Sequence, residues 1–126
     1  MVKRATLVMV VDDEPSMCDI LQRILTKDGY KVITASDGKR ALKLAKEKKP
    51  DVILLDLMLP GMNGREVCRR IRELSTKTQI IYFTAKIEQD PTKLKELRSE
   101  ADAFIAKPAT SKRILSTVSR VLERAQ

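Results

Sequence analysis

Histidine is missing from all 126 residues. Its absence removes imidazole acid–base chemistry, Ser-His-Asp and Cys-His nucleophile pairs, and most zinc sites. Cysteine occurs only as Cys18 and Cys68, far apart and in no CxxC spacing. The pair reads as small buried hydrophobes, not a disulfide or a metal site. With no Trp, two Phe and two Tyr, the chain has no series of aromatic platforms on which single-stranded nucleic acid could stack. No apolar run approaches the roughly 18 residues of a transmembrane span, so membrane insertion is not expected. Met1-Val2-Lys3-Arg4 leads through a short apolar run into Asp12-Asp13-Glu14, too short and too acidic for a signal peptide. The expected address is the cytoplasm.

What is present fits one folded domain. Apolar residues make up 43% and charged residues 33%, a balance that supports a core and excludes wholesale disorder. The length allows a single domain over 1–126 with no attached effector. Lys and Arg number 25 against 17 Asp and Glu, a net charge of +8. Residues 1–64 contribute +2 of this and residues 65–126 contribute +6. Such an excess is most simply a set of solvated helix faces, and its functional alternative is attraction to an acidic protein surface or nucleic acid.

Short β-branched runs alternate with helical periodicity. Leu7–Val11, Lys31–Ala35, Val52–Leu55, Ile80–Phe83 and Ala103–Ala106 read as strands. Between the first two, Met17, Ile20, Leu21, Ile24 and Leu25 recur at helical spacing, and Gly29 closes that helix. Asp37-Gly38 opens a second helix with Ala41, Leu42 and Ala45 inward. Asn63 can cap a third, carrying Val67, Ile71 and Leu74. A weaker fourth lies around Pro91–Arg98 with Leu94 and Leu97 inward. The last places Ile114, Leu115, Val118, Val121 and Leu122 on one face. Five βα units predict a parallel sheet with helices on both sides, a doubly wound three-layer α/β domain.

Polar residues collect where strands end: Asp12, Asp13 and Glu14 after the first, Asp56 after the third, Thr84 after the fourth, Lys107 after the fifth. In doubly wound sheets these ends share one crevice, the usual ligand site. Crowded carboxylates repel one another, and a hard divalent cation such as Mg²⁺ relieves that cost while leaving positions for phosphate oxygens. A carboxylate can then attack phosphorus to give an acyl phosphate. Charge on the transferring group is spread over three equatorial oxygens, which the cation, the Lys107 ammonium and the Thr84 hydroxyl could each meet. Taken singly, Asp-Asp-Glu is an ordinary helix N-cap, Asp56 and Thr84 are turn residues, and Lys107 is a surface charge. Their joint occurrence at one end of four strands favours the chemical reading.

Those blocks, Val10-Val11-Asp12-Asp13-Glu14-Pro15, Asp56-Leu57-Met58-Leu59-Pro60-Gly61-Met62-Asn63-Gly64, Thr84-Ala85 and Lys107-Pro108, resemble end to end the receiver domain of two-component response regulators. The resemblance implies the flavodoxin-like (βα)5 fold with strand order 2-1-3-4-5. It implies Asp56 as phosphoacceptor, Asp13 and Asp56 as direct Mg²⁺ ligands, Asp12 acting largely through water, and Met58 offering its backbone carbonyl. Lys107 corresponds to the phosphate-pairing lysine, on a cis bond to Pro108. Thr84 corresponds to the hydroxyl that moves toward the phosphoryl group, and Phe104 to the switch aromatic, although a plain core aromatic is the simpler reading of that residue alone. Met58 and Lys86 flank the path of the hydrolytic water. Glu100 stands where the family usually has Gly, so either Glu carries a strained positive φ or the turn differs. Ala109 stands where an aromatic is common.

The implied function is a stand-alone response regulator. It would be phosphorylated by a histidine kinase or phosphotransfer partner, catalysing only its own phosphorylation and slow dephosphorylation. Output would pass through the fourth helix, fifth strand and fifth helix, whose Lys93, Lys95, Lys112, Arg113 and Arg120 suit an acidic protein or a like surface in a dimer. Nucleic acid is disfavoured because no helix is spare for a groove. Three other classes fit less well. A haloacid-dehalogenase-type phosphatase needs a second Asp two residues after its nucleophile, where Met58 stands. A flavodoxin-like flavin carrier needs a hydroxyl-rich phosphate loop where Asp-Asp-Glu stands. A phosphorylation-independent adaptor would not need the complete acidic set.

Overall fold

A computed structural model describes residues 6–75, 77–85 and 90–125. Five strands alternate with five helices: β1 (Leu7–Val11), α1 (Pro15–Lys27), β2 (Lys31–Ala35), α2 (Gly38–Lys48), β3 (Val52–Leu55), α3 (Gly64–Leu74), β4 (Gln79–Thr84), α4 (Pro91–Glu100), β5 (Ala103–Ala106) and α5 (Ser111–Arg124). The strands form one parallel sheet in the order β2-β1-β3-β4-β5. This is the doubly wound flavodoxin-like topology anticipated from the sequence. β4 runs one residue further at each end than its apolar run, because Gln79 and Thr84 continue the ladder while contributing polar side chains.

Alternation along the strands divides the core in two. Met9, Val11, Ile53, Leu55, Ile80 and Tyr82 face α2, α3 and α4, where Ala41, Val67, Ile71 and Leu97 meet them. Val8, Val10, Val52, Leu54, Ile81 and Phe83 face α1 and α5, meeting Leu21, Leu25, Ile114, Val118 and Val121. β1 and β3 are buried on both faces, which is why their sequences are continuously apolar. Side chains cap four helices: Asp37 accepts from the Arg40 N–H at 2.8 Å, Asn63 from Glu66 at 3.0 Å, Asp90 from Thr92 at 2.9 Å and Thr110 from Arg113 at 3.1 Å.

Two apolar residues expected inside lie outside. Ile20 is 50% exposed, since it sits about 120° around α1 from the buried Leu21–Leu25 line at 3.6 residues per turn. Leu74, in the last turn of α3, is 49% exposed at the margin of the sheet. Both cysteines are free, with Cys68 buried and Cys18 half-buried. The only non-glycine residue with positive φ among those described is Lys49, the αL C-cap of α2. Glu100 is therefore unstrained: it ends α4 in helical conformation and the chain leaves through an extended Ala101. The turn differs from the glycine form. Ala109 packs half-buried against the α1–α5 side of the core.

Candidate phosphoacceptor site

The carboxyl ends of β1, β3, β4 and β5 deliver the site. The Asp12 N–H donates to Ala35 O at 3.0 Å and the Asp56 N–H to Val11 O at 3.0 Å, so each aspartate is held by one more rung of the ladder beyond its strand. Their side chains are fixed by the following turns. Asp12 Oδ1 accepts from the Glu14 N–H at 2.9 Å, and Asp56 Oδ1 from the Met58 N–H at 3.0 Å. Both residues are nearly sealed, at 2% and 6% exposure. Ionised groups this deeply buried need partners.

Lys107 provides one. Its backbone N–H donates to Thr84 O at 3.0 Å, tying the end of β5 to β4, and the Lys107–Pro108 bond is cis. Its Nζ donates to Asp12 Oδ2 at 2.6 Å and to Asp56 Oδ2 at 3.1 Å, and lies 5.2 Å from the centre of the Phe83 ring. Burial alone lowers an ammonium pKa, but the two carboxylates outweigh it and Lys107 ends above the ordinary lysine value. The ammonium is thus a fixed positive charge between two aspartates.

One ammonium does not neutralise three carboxylates. Oxygens of Asp12, Asp13 and Asp56 lie within 4.8 Å of one another, with Asp13 exposed at the rim. An all-oxygen set with one solvent-facing member fits a hard cation that keeps part of its water shell, as Mg²⁺ does. Thr84 is buried at the end of β4, beside Ala106 in register. Met58 stands at the mouth, 60% exposed. Phe104 pairs in register with Tyr82 and is half-buried against the α2–α4 side of the core. Lys86 lies outside the described residues.

The family model for the response regulator receiver domain matches residues 8–119. The chain belongs to that family. This receiver is 41% identical over 119 residues to the alkaline phosphatase synthesis transcriptional regulatory protein PhoP of Bacillus subtilis, covering 94% of this chain and 49% of PhoP. It therefore spans about half the length of that curated relative. Among solved structures, the Vibrio cholerae chemotaxis protein CheY4 is 31% identical with a TM-score of 0.85, covering 94% of this chain and 99% of that one. The Thermotoga maritima response regulator TrrA, solved with Mg²⁺ and BeF, is 30% identical with a TM-score of 0.82, over 92% and 98% of the two chains.

Two features of the receiver escaped the sequence. Gly64 brings α3 against the loop after β3: a Cβ there would stand 2.5 Å from Asp56 O and 2.6 Å from Leu57 Cα. The Gly64 N–H also donates to Leu57 O at 3.0 Å. Its place at the end of the Asp56–Gly64 block marked the residue but not this close approach. The second is a polar cluster behind β4. The Tyr82 hydroxyl, on a fully buried residue, donates to Glu100 Oε1 at 2.8 Å. Arg65 holds the same carboxylate from α3, its Nε 3.0 Å from each oxygen and its second nitrogen on Oε2. Arg72 adds bonds to Glu100 O at 3.2 Å and Asp102 Oδ2 at 2.9 Å. The sequence marks Glu100 as unusual but gives no hint of its partners.

Proposed function

We propose that this receiver accepts a phosphoryl group on Asp56 from the phosphohistidine of a histidine kinase or phosphotransfer protein. The supporting observation is the Lys107 ammonium bonded to both Asp12 and Asp56 beside a third carboxylate. Transfer forms an Asp56 oxygen–phosphorus bond as the donor's phosphorus–nitrogen bond breaks, and the imidazole departs with its electron pair. Asp12, Asp13 and Asp56 would hold Mg²⁺, with the Met58 carbonyl as a further ligand; when bound, the ion offsets charge on the phosphoryl oxygens. Lys107 neutralises another oxygen, and its bond to Asp12 keeps the ammonium aimed at the crevice. The Thr84 hydroxyl supplies a donor to the third. Burial of the two aspartates limits competing water. No step here calls for histidine, in keeping with a chain that has none.

Signalling then follows from the neighbouring strand. Reorientation of Thr84 toward the phosphoryl group changes the packing beside Phe104, and the surface of α4, β5 and α5 reports it to a downstream protein. Lys93, Lys95, Lys112, Arg113 and Arg120 are exposed on that surface, which suits an acidic partner or a second receiver. Phosphorylation biases an existing equilibrium, and a bias of about 1–3 kcal/mol corresponds to a 5- to 150-fold change in partner affinity.

Intact-mass measurement with Mg²⁺ and a small acyl phosphodonor tests the first step. One phosphoryl group is expected on the wild type and none on Asp56→Asn; labelling that survives the substitution removes Asp56 from this role. For the output face, amide chemical shifts are followed as beryllofluoride is added with Mg²⁺. Changes confined to α2 and α3 would overturn the assignment.

A further inference from the structure

A basic surface also lies between α2 and α3. α2 and α3 enclose a groove of two adjoining cavities, about 600 and 530 Å³, that meet at Lys46 and Leu74. The upper one is walled by Lys43 and Lys46 from α2 and by Arg69 and Arg70 from α3. Lys49 and Lys77 extend the positive lining downward. Against six cations stand two carboxylates, Glu73 and Asp51, and the Asp51 carboxylate already accepts the Leu7 N–H at 2.8 Å. Arg70 pairs with Glu66 at 2.9 Å, an exposed bond that costs little to exchange.

The floor between these cations is aliphatic. Leu74 is one of only three large apolar side chains that stand exposed among the described residues, and half-buried Leu42 lies beside it. A nucleic-acid backbone would satisfy the cations but leave both leucines uncovered, and the groove lining offers no aromatic side chain for a base. An acidic protein segment with an apolar stripe satisfies both. The groove also reaches the wrong end of the sheet for phosphoryl chemistry. Asp51 precedes β3 while Asp56 follows it, about 16 Å along the strand at 3.3 Å per residue. An occupant leaves the phosphoacceptor crevice open.

We infer that the α2–α3 groove docks an acidic segment of a partner protein that carries an apolar stripe, whatever the phosphorylation state. Leu42 and Leu74 take its apolar residues, and Lys43, Lys46, Arg69 and Arg70 pair with its carboxylates. This contact goes beyond phosphoacceptance and stands without it, since none of its residues belongs to the crevice.

Fluorescence anisotropy with a labelled amphipathic peptide of glutamates and leucines tests it. The Kd should rise about tenfold in Lys43→Glu with Arg69→Glu, the equivalent of about 1.4 kcal/mol. Leu74→Ser should weaken binding severalfold. Arg23→Glu with Lys27→Glu on α1 matches the net-charge change and should leave Kd unaltered, as should Mg²⁺ with beryllofluoride. Circular dichroism confirms that each variant is folded. The inference is overturned by equal losses in the α1 and groove variants, which would reduce the effect to net charge. It is also overturned by polyglutamate or duplex DNA binding as tightly as the peptide, by a response to beryllofluoride, or by no peptide binding at all.

Discussion

Replacing Glu100 by Ala isolates the cluster behind β4. Three elements meet on its carboxylate: Tyr82 from β4, Arg65 from α3 and Glu100 itself at the end of α4. Removing the carboxylate leaves the hydroxyl of a fully buried tyrosine with only the weakly bonding Cys68 thiol beside it, a cost of about 1–3 kcal/mol. The Arg65 pair adds less, because the arginine side chain is half exposed and such pairs contribute about 0–1 kcal/mol. Glu100→Ala should thus destabilise by about 2–3 kcal/mol. Tyr82→Phe should cost only about 1 kcal/mol, since Arg65 still satisfies the carboxylate. In the Glu100→Ala background, removing the hydroxyl should cost nothing, leaving a coupling of about 1 kcal/mol in the double-mutant cycle.

Urea unfolding followed by circular dichroism measures all four corners, with the Glu100→Ala midpoint falling by roughly 1 M at constant slope. The pH dependence gives an independent arm. Burial pushes the Glu100 carboxyl up, but bonds from Arg65 and Tyr82 outweigh it and hold it below the usual carboxylate range. A depressed folded pKa contributes stability that is complete above the unfolded value, about 4.3, and lost as pH falls through the folded value. The gap between wild type and Glu100→Gln should be constant near neutrality and close below about pH 4. A coupling under about 0.3 kcal/mol, or a gap that persists unchanged to pH 3, would refute the reasoning.

Gly64→Ala should destabilise by about 1–3 kcal/mol and slow phosphorylation, because the new Cβ meets the immovable backbone of Asp56 and Leu57; denaturation and labelling rates measured together check both effects. Met58→Asn should shorten the acyl-phosphate lifetime by one to two orders of magnitude, since an exposed thioether at the mouth cannot orient water as an amide can; phosphate release after donor removal is the assay. Lys49→Gly should stabilise by about 0.5–1 kcal/mol, as glycine accepts the αL conformation at φ 50° that lysine holds at a cost; thermal unfolding decides it.

The fold was legible because its signals are local and repeated. β1 and β3 read as continuous apolar runs, and the helices show periodic apolar faces, with Asp37 and Asn63 at the starts of α2 and α3. The site was legible for a different reason: in a doubly wound sheet, position along the chain determines position in space. Once the strands were placed, Asp12, Asp56, Thr84 and Lys107 had to meet. Periodicity misled where it assumed a wide buried stripe, as at Ile20, or a helix covered to its last turn, as at Leu74. Gly64 was hidden because a close approach depends on angles that no local pattern records. The Glu100 cluster was hidden because its partners lie 18 and 35 positions away and belong to elements whose contact is set by the finished fold.

That cluster bears on the proposed switch. Tyr82 and Thr84 are two residues apart on β4 and so share a face, and Phe104 is the register partner of Tyr82. Any inward movement of Thr84 therefore occurs beside a tyrosine pinned to the end of α4 through Glu100. A bond of about 1 kcal/mol is comparable to the 1–3 kcal/mol by which a switch of this kind is biased. The cluster holds the carboxyl end of α4 against β4 and α3 through Tyr82, Arg65 and Arg72. A glycine at position 100 offers no such tether.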